Sequence, residues 1–404
     1  MTVTAASGAP QASARVFALC FVAGLCEGYD MLVAGVTAPK FAPVFGLDPE
    51  QLGWVFSAST FGLFVGAVIG GRLADHVGRR AVVIGSLVLL GIFSIGTALV
   101  DDLGPLLAMR FLTGLGLGGT LPNILALTHE SSRPHQATMR VTMLGSAMPF
   151  GGALVGLLMV VAPDLDWRTV FWIGGLAPLA VAAVMLFALP ESQDFRQRSI
   201  ATARASVATA LGGDRRLLAS ILIWTGSFFT ALTLYMMINW LPSMLTGKGF
   251  DKPQVGAVVM MLTVGGAASG FVFGALTRLQ RRGLLFVVTW LGMVASVVGM
   301  ALAPHAIALM CAAAFGIGFF VSGGQFLLYA LATELYPPRV RGTGVGFAVG
   351  IGRLGAVAGP LLAGGLLMAN QDASAIMLAV VPLILASMAA AMMLLRRAPE
   401  PTPA

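Results

Sequence analysis

The first apolar run of the chain, RVFALCFVAGLCEGYDMLVAGVTA, holds two carboxylic acids, Glu27 and Asp30. A late apolar run, GFAVGIGRLGAVAGPLLAGG, holds a guanidinium, Arg353. These residue types move protons and clamp organic anions: a carboxylate takes up and releases a proton, and a guanidinium presents paired N–H donors that match a carboxylate. A charge at the centre of a bilayer costs about 2.5–3.5 kcal/mol even on the lenient insertion scale, so such side chains face a cavity or a partner rather than lipid. Glu27 and Asp30 are three residues apart, which puts both on one helix face. They lie about eleven and fourteen residues into their run, near mid-membrane at about 1.5 Å rise per residue. Arg353 is about as deep in its own run. The three therefore read as a substrate-and-proton site, against the alternative of a purely structural ion pair.

Other polar residues in apolar runs extend this set. Arg110 lies about six residues from an outer helix end; reaching headgroups and pairing with a cavity acid both remain open. Ser322, Gln325 and Tyr329 fall at i, i+3 and i+7, one helical face, and Tyr235 and Asn239 are four apart. They are candidates for ring and hydroxyl contacts with a substrate, against ordinary interhelical hydrogen bonds worth about 0.6 kcal/mol each. Trp240 reads as an interface anchor, and Asn123 falls off the Arg110 face. Glu130, Arg133 and Arg140, and likewise Glu334, Arg339 and Arg341, stand at inner helix ends and read as ion pairs of an inner gate. His129 beside them has the chemistry of a pH sensor. No nucleophile–base pair appears, the four histidines are scattered, and Cys20, Cys26 and Cys311 show no metal spacing. The expectation is a protein that is not an enzyme and holds no metal or cofactor.

Long apolar helices must position these residues. The chain is 57% hydrophobic, 10% charged and has a mean hydropathy of +0.90, where a soluble protein carries about 25% charged residues. The reading is an all-α polytopic membrane protein. Its net charge of +7 suits anionic lipid and does not call for nucleic acid. Twelve spans are predicted, at roughly 16–38, 52–71, 81–100, 104–128, 140–162, 168–189, 218–242, 254–276, 283–302, 305–332, 342–368 and 373–395. Residues 1–15 read as a disordered tail, 16–189 as one six-helix bundle, 190–217 as a cytoplasmic linker, 218–395 as a second bundle and 396–404 as a C-terminal tail. With the N-terminus inside, eighteen Lys and Arg fall in inner segments and four (Lys40, Arg168, Lys248, Lys252) in outer loops, which places both termini in the cytoplasm. An offset of 204 residues links Gly62, Gly66 and Gly70 to Gly266, Gly270 and Gly274, Gly119 to Gly323, and Glu130 to Glu334. Five matches in one register imply duplication, and glycines every fourth residue let two helices approach closely.

The loop GGRLADHVGRR, with Gly71, Asp75, Gly78, Arg79 and Arg80, resembles the loop 2–3 signature of the major facilitator superfamily. The weaker copy GALTRLQRR follows span 8. Such a loop implies a gate, with Asp75 capping a helix end or pairing with a cation in one state and releasing it in another. Within that superfamily, EGYD at 27–30, RFLTGLGLGGTLPNILALTHE at 110–130 and TELYPPRVRGTGVGFAVGIGRLGAVAGP at 333–360 are similar to stretches of the aromatic acid:proton symporter family. The family has Asp where this chain has Glu27, one methylene longer. LPESQDF at 189–195 is shared by several related families. Span 5, with GSAMPFGGALVG, lacks the full glycine-proline pattern of antiporters, which favours symport. The resemblance implies two pseudo-symmetric six-helix bundles and a cavity lined by spans 1, 4, 7 and 10.

The expected function is proton-coupled import of an aromatic carboxylate across a bacterial-type inner membrane, with the proton as coupling ion and a monomer as the working unit. Arg353 would bind the substrate carboxylate, with Arg110, Gln325, Tyr329, Tyr235 and Asn239 as further substrate contacts. Asp30, or else Glu27, would carry the proton. An acid whose cation is taken by an anionic substrate is left as an uncompensated buried charge, which a proton relieves. The bundles would then rock about the loaded site. The alternatives are a carrier of another organic anion, a sugar-like metabolite or a drug, and a transporter-like sensor that binds without translocating.

Overall fold

Inside a bilayer every backbone N–H and C=O must be satisfied within its own segment or by a neighbour, and a helix does this locally. The computed structural model describes residues 8–191, 216–276, 282–336, 341–369 and 372–396. Among these, twelve helical segments are long and apolar enough to cross a membrane. The first six are span 1 (Gly8–Phe45), span 2 (Pro49–Val77), span 3 (Arg79–Leu99), span 4 (Leu103–Ser131), span 5 (Pro134–Gly145 and Ala147–Val161) and span 6 (Trp167–Ala188). The second six are span 7 (Leu217–Gly247), span 8 (Lys252–Leu276), span 9 (Arg282–Leu302), span 10 (Ile307–Leu335), span 11 (Arg341–Met368) and span 12 (Ala373–Ala379 and Val381–Leu395).

Three local features depart from the sequence-based expectation. Span 1 begins at Gly8, so residues 8–15 are helical rather than a disordered tail; Ala9, Ala12 and Ala14 are strong helix formers, and Pro10 sits in the first turn, where proline is tolerated. Spans 5 and 12 are each broken, at Ser146 and Val380. Pro149 and Pro382 cause this: a proline lacks the N–H that would close the turn before it, and its ring crowds the carbonyl four residues back. The bond closing each break is of the i→i−3 kind, Ser146 N–H to the Met143 carbonyl at 3.1 Å and Val380 N–H to that of Met377 at 3.4 Å. Most of the predicted linker, residues 192–215, lies outside the described residues.

The chain divides into two compact units, Met1–Ile200 and Ala201–Ala404. In the first, span 2 packs on span 4, span 3 on spans 4 and 6, and span 1 on spans 4, 5 and 6. In the second, span 8 packs on span 10, span 9 on spans 10 and 12, and span 7 on spans 10, 11 and 12. The packing scheme thus repeats. The close approach repeats as well: a Cβ at Gly114 would collide with the Ser59 carbonyl of span 2, and one at Gly318, 204 residues later, with the Leu262 carbonyl of span 8, 203 residues after Ser59. Here the glycines are close-approach residues, because backbone meets backbone where a side chain would stand.

Candidate functional site

At 3.6 residues per turn, the stretch Glu27–Asp30 of span 1 presents four directions, and each residue meets different surroundings. Gly28 lies against the Met148 backbone, just past the break in span 5, where a Cβ would collide with the carbonyl. Tyr29 donates its hydroxyl to the Val170 carbonyl of span 6 at 3.0 Å. Asp30 meets Arg110 of span 4, and Glu27 is fully buried.

Arg110 donates Nη2 to Asp30 Oδ2 at 3.1 Å and Nη1 to Oδ1 at 3.5 Å. Its Nη2 also donates to Ser59 Oγ of span 2 at 3.2 Å, and its guanidinium carbon lies 5.4 Å from the Phe171 ring centroid. Of the two options open for Arg110, headgroups are thereby excluded: it is 1% exposed and Asp30 0%. The two N–H groups thus meet the two carboxylate oxygens side by side, a paired, charge-assisted contact. Arg110 Nε makes no hydrogen bond among the described residues. Asp30 therefore has its cation in its own bundle.

The second unit gathers a different set. Arg353 of span 11 donates Nη1 to the Tyr235 hydroxyl of span 7 at 2.6 Å. The Tyr329 hydroxyl of span 10 is a close neighbour of Arg353, Tyr235 and Gln325. Asn239 commits its Nδ2 to the Tyr235 backbone carbonyl one turn earlier, at 2.8 Å. Trp240 corrects the expectation of an interface anchor: it is 2% exposed and donates Nε1 to the Pro360 carbonyl at 3.0 Å. Gly355 and Gly359 bring span 11 against the backbone of span 7 at Phe228 and Leu232, and the indole is enclosed on that side.

At the predicted inner ends, Gly78 closes span 2 with φ +96°, a conformation that favours glycine. The Glu191 carboxylate accepts the backbone N–H groups of Arg79 and Arg80 at 3.0 and 3.2 Å, an anion at the positive end of span 3. Arg79 forms an ion pair with Glu130, and Arg80 donates to the Leu186 carbonyl. The second unit has a matching pair, Arg282–Glu334 at 2.7 Å. Gly71 lies within the span 2 helix, Arg133 caps span 5 in an exposed position, and Arg140 is half-buried. The predicted gate residue Arg339 and the side chains of Asp75 and Arg341 lie outside the described residues.

Sequence reasoning passed over Ser59, Phe171 and Glu191. Ser59 carried a signal, as a hydroxyl inside an apolar run. Glu191 was visible only as part of a widely shared stretch, and a ring lying over a guanidinium leaves no mark in local sequence.

Residues 20–306 and 249–404 each match the profile of the Major Facilitator Superfamily. Among curated proteins, the chain is 40% identical to the 3-(3-hydroxy-phenyl)propionate transporter of Escherichia coli, over 94% of this chain and 93% of the relative. It is 30% identical to the 4-hydroxybenzoate transporter PcaK of Pseudomonas aeruginosa, over 85% and 84%. Among solved structures, a bacterial homologue of the human lysosomal transporter Spinster superposes with a TM-score of 0.76 at 17% identity, covering 97% of this chain and 99% of that one.

Proposed function

Because this chain belongs to the Major Facilitator Superfamily, in its branch of aromatic acid transporters, we propose that it imports an aromatic carboxylate together with a proton, by alternating access, as a monomer in the inner membrane with both termini cytoplasmic. The observation that carries the proton step is the Asp30–Arg110 pair, buried inside one bundle. An acid so buried is retained at a cost of kilocalories, and a proton on Asp30 releases Arg110 without leaving a carboxylate charge behind. Arg353 and Tyr235 supply the substrate half. A guanidinium and a phenol 2.6 Å apart present adjacent donors suited to a carboxylate. The relatives' substrates, 3-(3-hydroxy-phenyl)propionate and 4-hydroxybenzoate, share a ring and a carboxylate, which supports an acid of that class here. Glu27 is the second candidate proton carrier, and Arg79–Glu130 and Arg282–Glu334 are the candidate gate ties.

Proteoliposomes with the outside one pH unit more acid test this reading. One proton per monovalent anion is an electroneutral load, and one pH unit is worth about 1.4 kcal/mol. The expected result is accumulation of hydroxybenzoate or benzoate approaching about tenfold, abolished when the gradient is collapsed. Uptake that only equilibrates, or a preference for sugars over aromatic acids, overturns it.

A further inference from the structure

Two polar side chains beside Arg353 have no task in that account. Gln325 stands on span 10, one turn before Tyr329. Its amide lies within hydrogen-bond reach of the Tyr329 hydroxyl, but neither its Oε1 nor its Nε2, both buried, closes a bond of accepted geometry among the described residues, so the amide keeps unused capacity. Ser227 on span 7 is wholly buried, and its Oγ makes no hydrogen bond of accepted geometry among the described residues. A buried amide or hydroxyl left without a bond is destabilising, and native structures hold few of them. Both sit close to the anion-binding pair. The Tyr329 hydroxyl neighbours Gln325, Arg353 and Tyr235. Gly352, adjacent to Arg353 in the chain, lies between Ser227 and Tyr329: a Cβ built there would be 3.5 Å from the Ser227 carbonyl and 3.7 Å from the Tyr329 hydroxyl. These polar groups are not part of the duplicated scaffold. At the 204-residue offset, Gln325 corresponds to Leu121 and Ser227 to Ala23, apolar residues that serve the same helix packing.

We propose that Gln325, assisted by Ser227, reads a phenolic hydroxyl on the substrate ring, so that the protein selects hydroxylated aromatic acids over their unsubstituted analogues. The proposal rests on the reading of the protein as an aromatic acid carrier. The chemistry fits: a carboxamide accepts a phenol O–H through Oε1 and donates to the phenol oxygen through Nε2, and a serine hydroxyl does either. A site built to hydrogen-bond a hydroxyl rejects the analogue lacking it strongly, because its own buried groups are then left unsatisfied.

The test is competition in proteoliposomes carrying the full chain. Inhibition constants for 3-hydroxybenzoate, 4-hydroxybenzoate and benzoate are measured on the natural protein and on Gln325→Leu. The natural protein should favour at least one hydroxybenzoate over benzoate by about tenfold or more, and Gln325→Leu should bring that ratio toward one. A ratio that keeps its original value in Gln325→Leu overturns the assignment, as does a natural protein that treats hydroxybenzoates and benzoate alike. Where Gln325→Leu fails to give monodisperse protein, Gln325→Asn, with its amide one methylene shorter, and Ser227→Ala must each narrow the ratio, and an unchanged ratio in both is the same refutation. Failure to carry any aromatic acid would instead sink the functional reading, which keeps the two distinguishable.

Discussion

Replacing Asp30 with Asn keeps the shape of the side chain and removes its charge. In the folded protein the Arg110 guanidinium, 1% exposed, would then face only uncharged partners, the amide oxygen of the new side chain, the Ser59 hydroxyl at 3.2 Å and the Phe171 ring face. Removing one partner of a buried ion pair costs about 3–5 kcal/mol, because the remaining charge is stranded in low dielectric. Removing both charges together is far cheaper, and often neutral. Asp30→Asn should therefore melt well below the natural protein in detergent, and Asp30→Asn with Arg110→Gln should recover most of the loss. The double-mutant cycle would show a coupling of a few kcal/mol between two residues 80 positions apart in the chain. Both variants should lose accumulation driven by a pH gradient, the double variant despite its restored stability. That separation matters, since it assigns the transport defect to the missing proton site rather than to poor folding. Uphill uptake surviving in Asp30→Asn would refute the proton assignment. A double variant as unstable as the sum of the singles would refute the claim that the two charges stabilise each other.

Two further outcomes follow from the packing and from the second unit. Tyr235→Phe removes the hydroxyl 2.6 Å from Arg353; a hydrogen bond to a charged group is worth about 1.5–3 kcal/mol, so substrate affinity measured by calorimetric titration should fall about tenfold or more. Gly66→Val should abolish monodisperse protein on gel filtration, because its Cβ would run into the Leu115 backbone, whereas Gly71→Ala, with nothing within 4 Å of its Cβ, should give normal yields.

The spans were legible because twenty-residue apolar runs have one stable conformation in hydrocarbon. That Glu27 and Asp30 lie inside one long helix, and Arg353 inside another, followed from the length of their apolar runs. What the sequence left open was partnership. Arg110 stands near enough to a helix end for headgroups and near enough to the core for an acid, and only the packing of spans 1, 2 and 4 decides between them. Trp240 was misread for the same reason. A tryptophan near a helix end suits an interface, but its direction is set by which neighbour the helix packs on, here span 11 with its glycines at 355 and 359. The breaks at Ser146 and Val380 were missed because a proline acts on the turn before it, away from its own position.

The duplication separates scaffold from chemistry more sharply than either half does alone. Residues that let helices touch recur at the 204-residue offset: Gly114 with Gly318, Gly151 with Gly355, Gly119 with Gly323. So does the acid of the ion pairs Arg79–Glu130 and Arg282–Glu334, Glu130 with Glu334. The buried charges do not recur. Asp30 and Arg110 correspond to Leu234 and Ala314, and Arg353, Tyr235 and Tyr329 to Pro149, Met31 and Leu125. If the buried ionic and phenolic groups were needed to hold six helices together, each bundle would have kept a copy, yet each folds to the same packing without the other's set. Their retention at a cost in stability therefore asks for a role outside folding. The division fits the proposed role: one bundle holds the acid paired with Arg110, the other the guanidinium with its phenols. A carrier that must load a proton and an anion in the same cycle has use for two such unlike sites, one in each copy of a common frame.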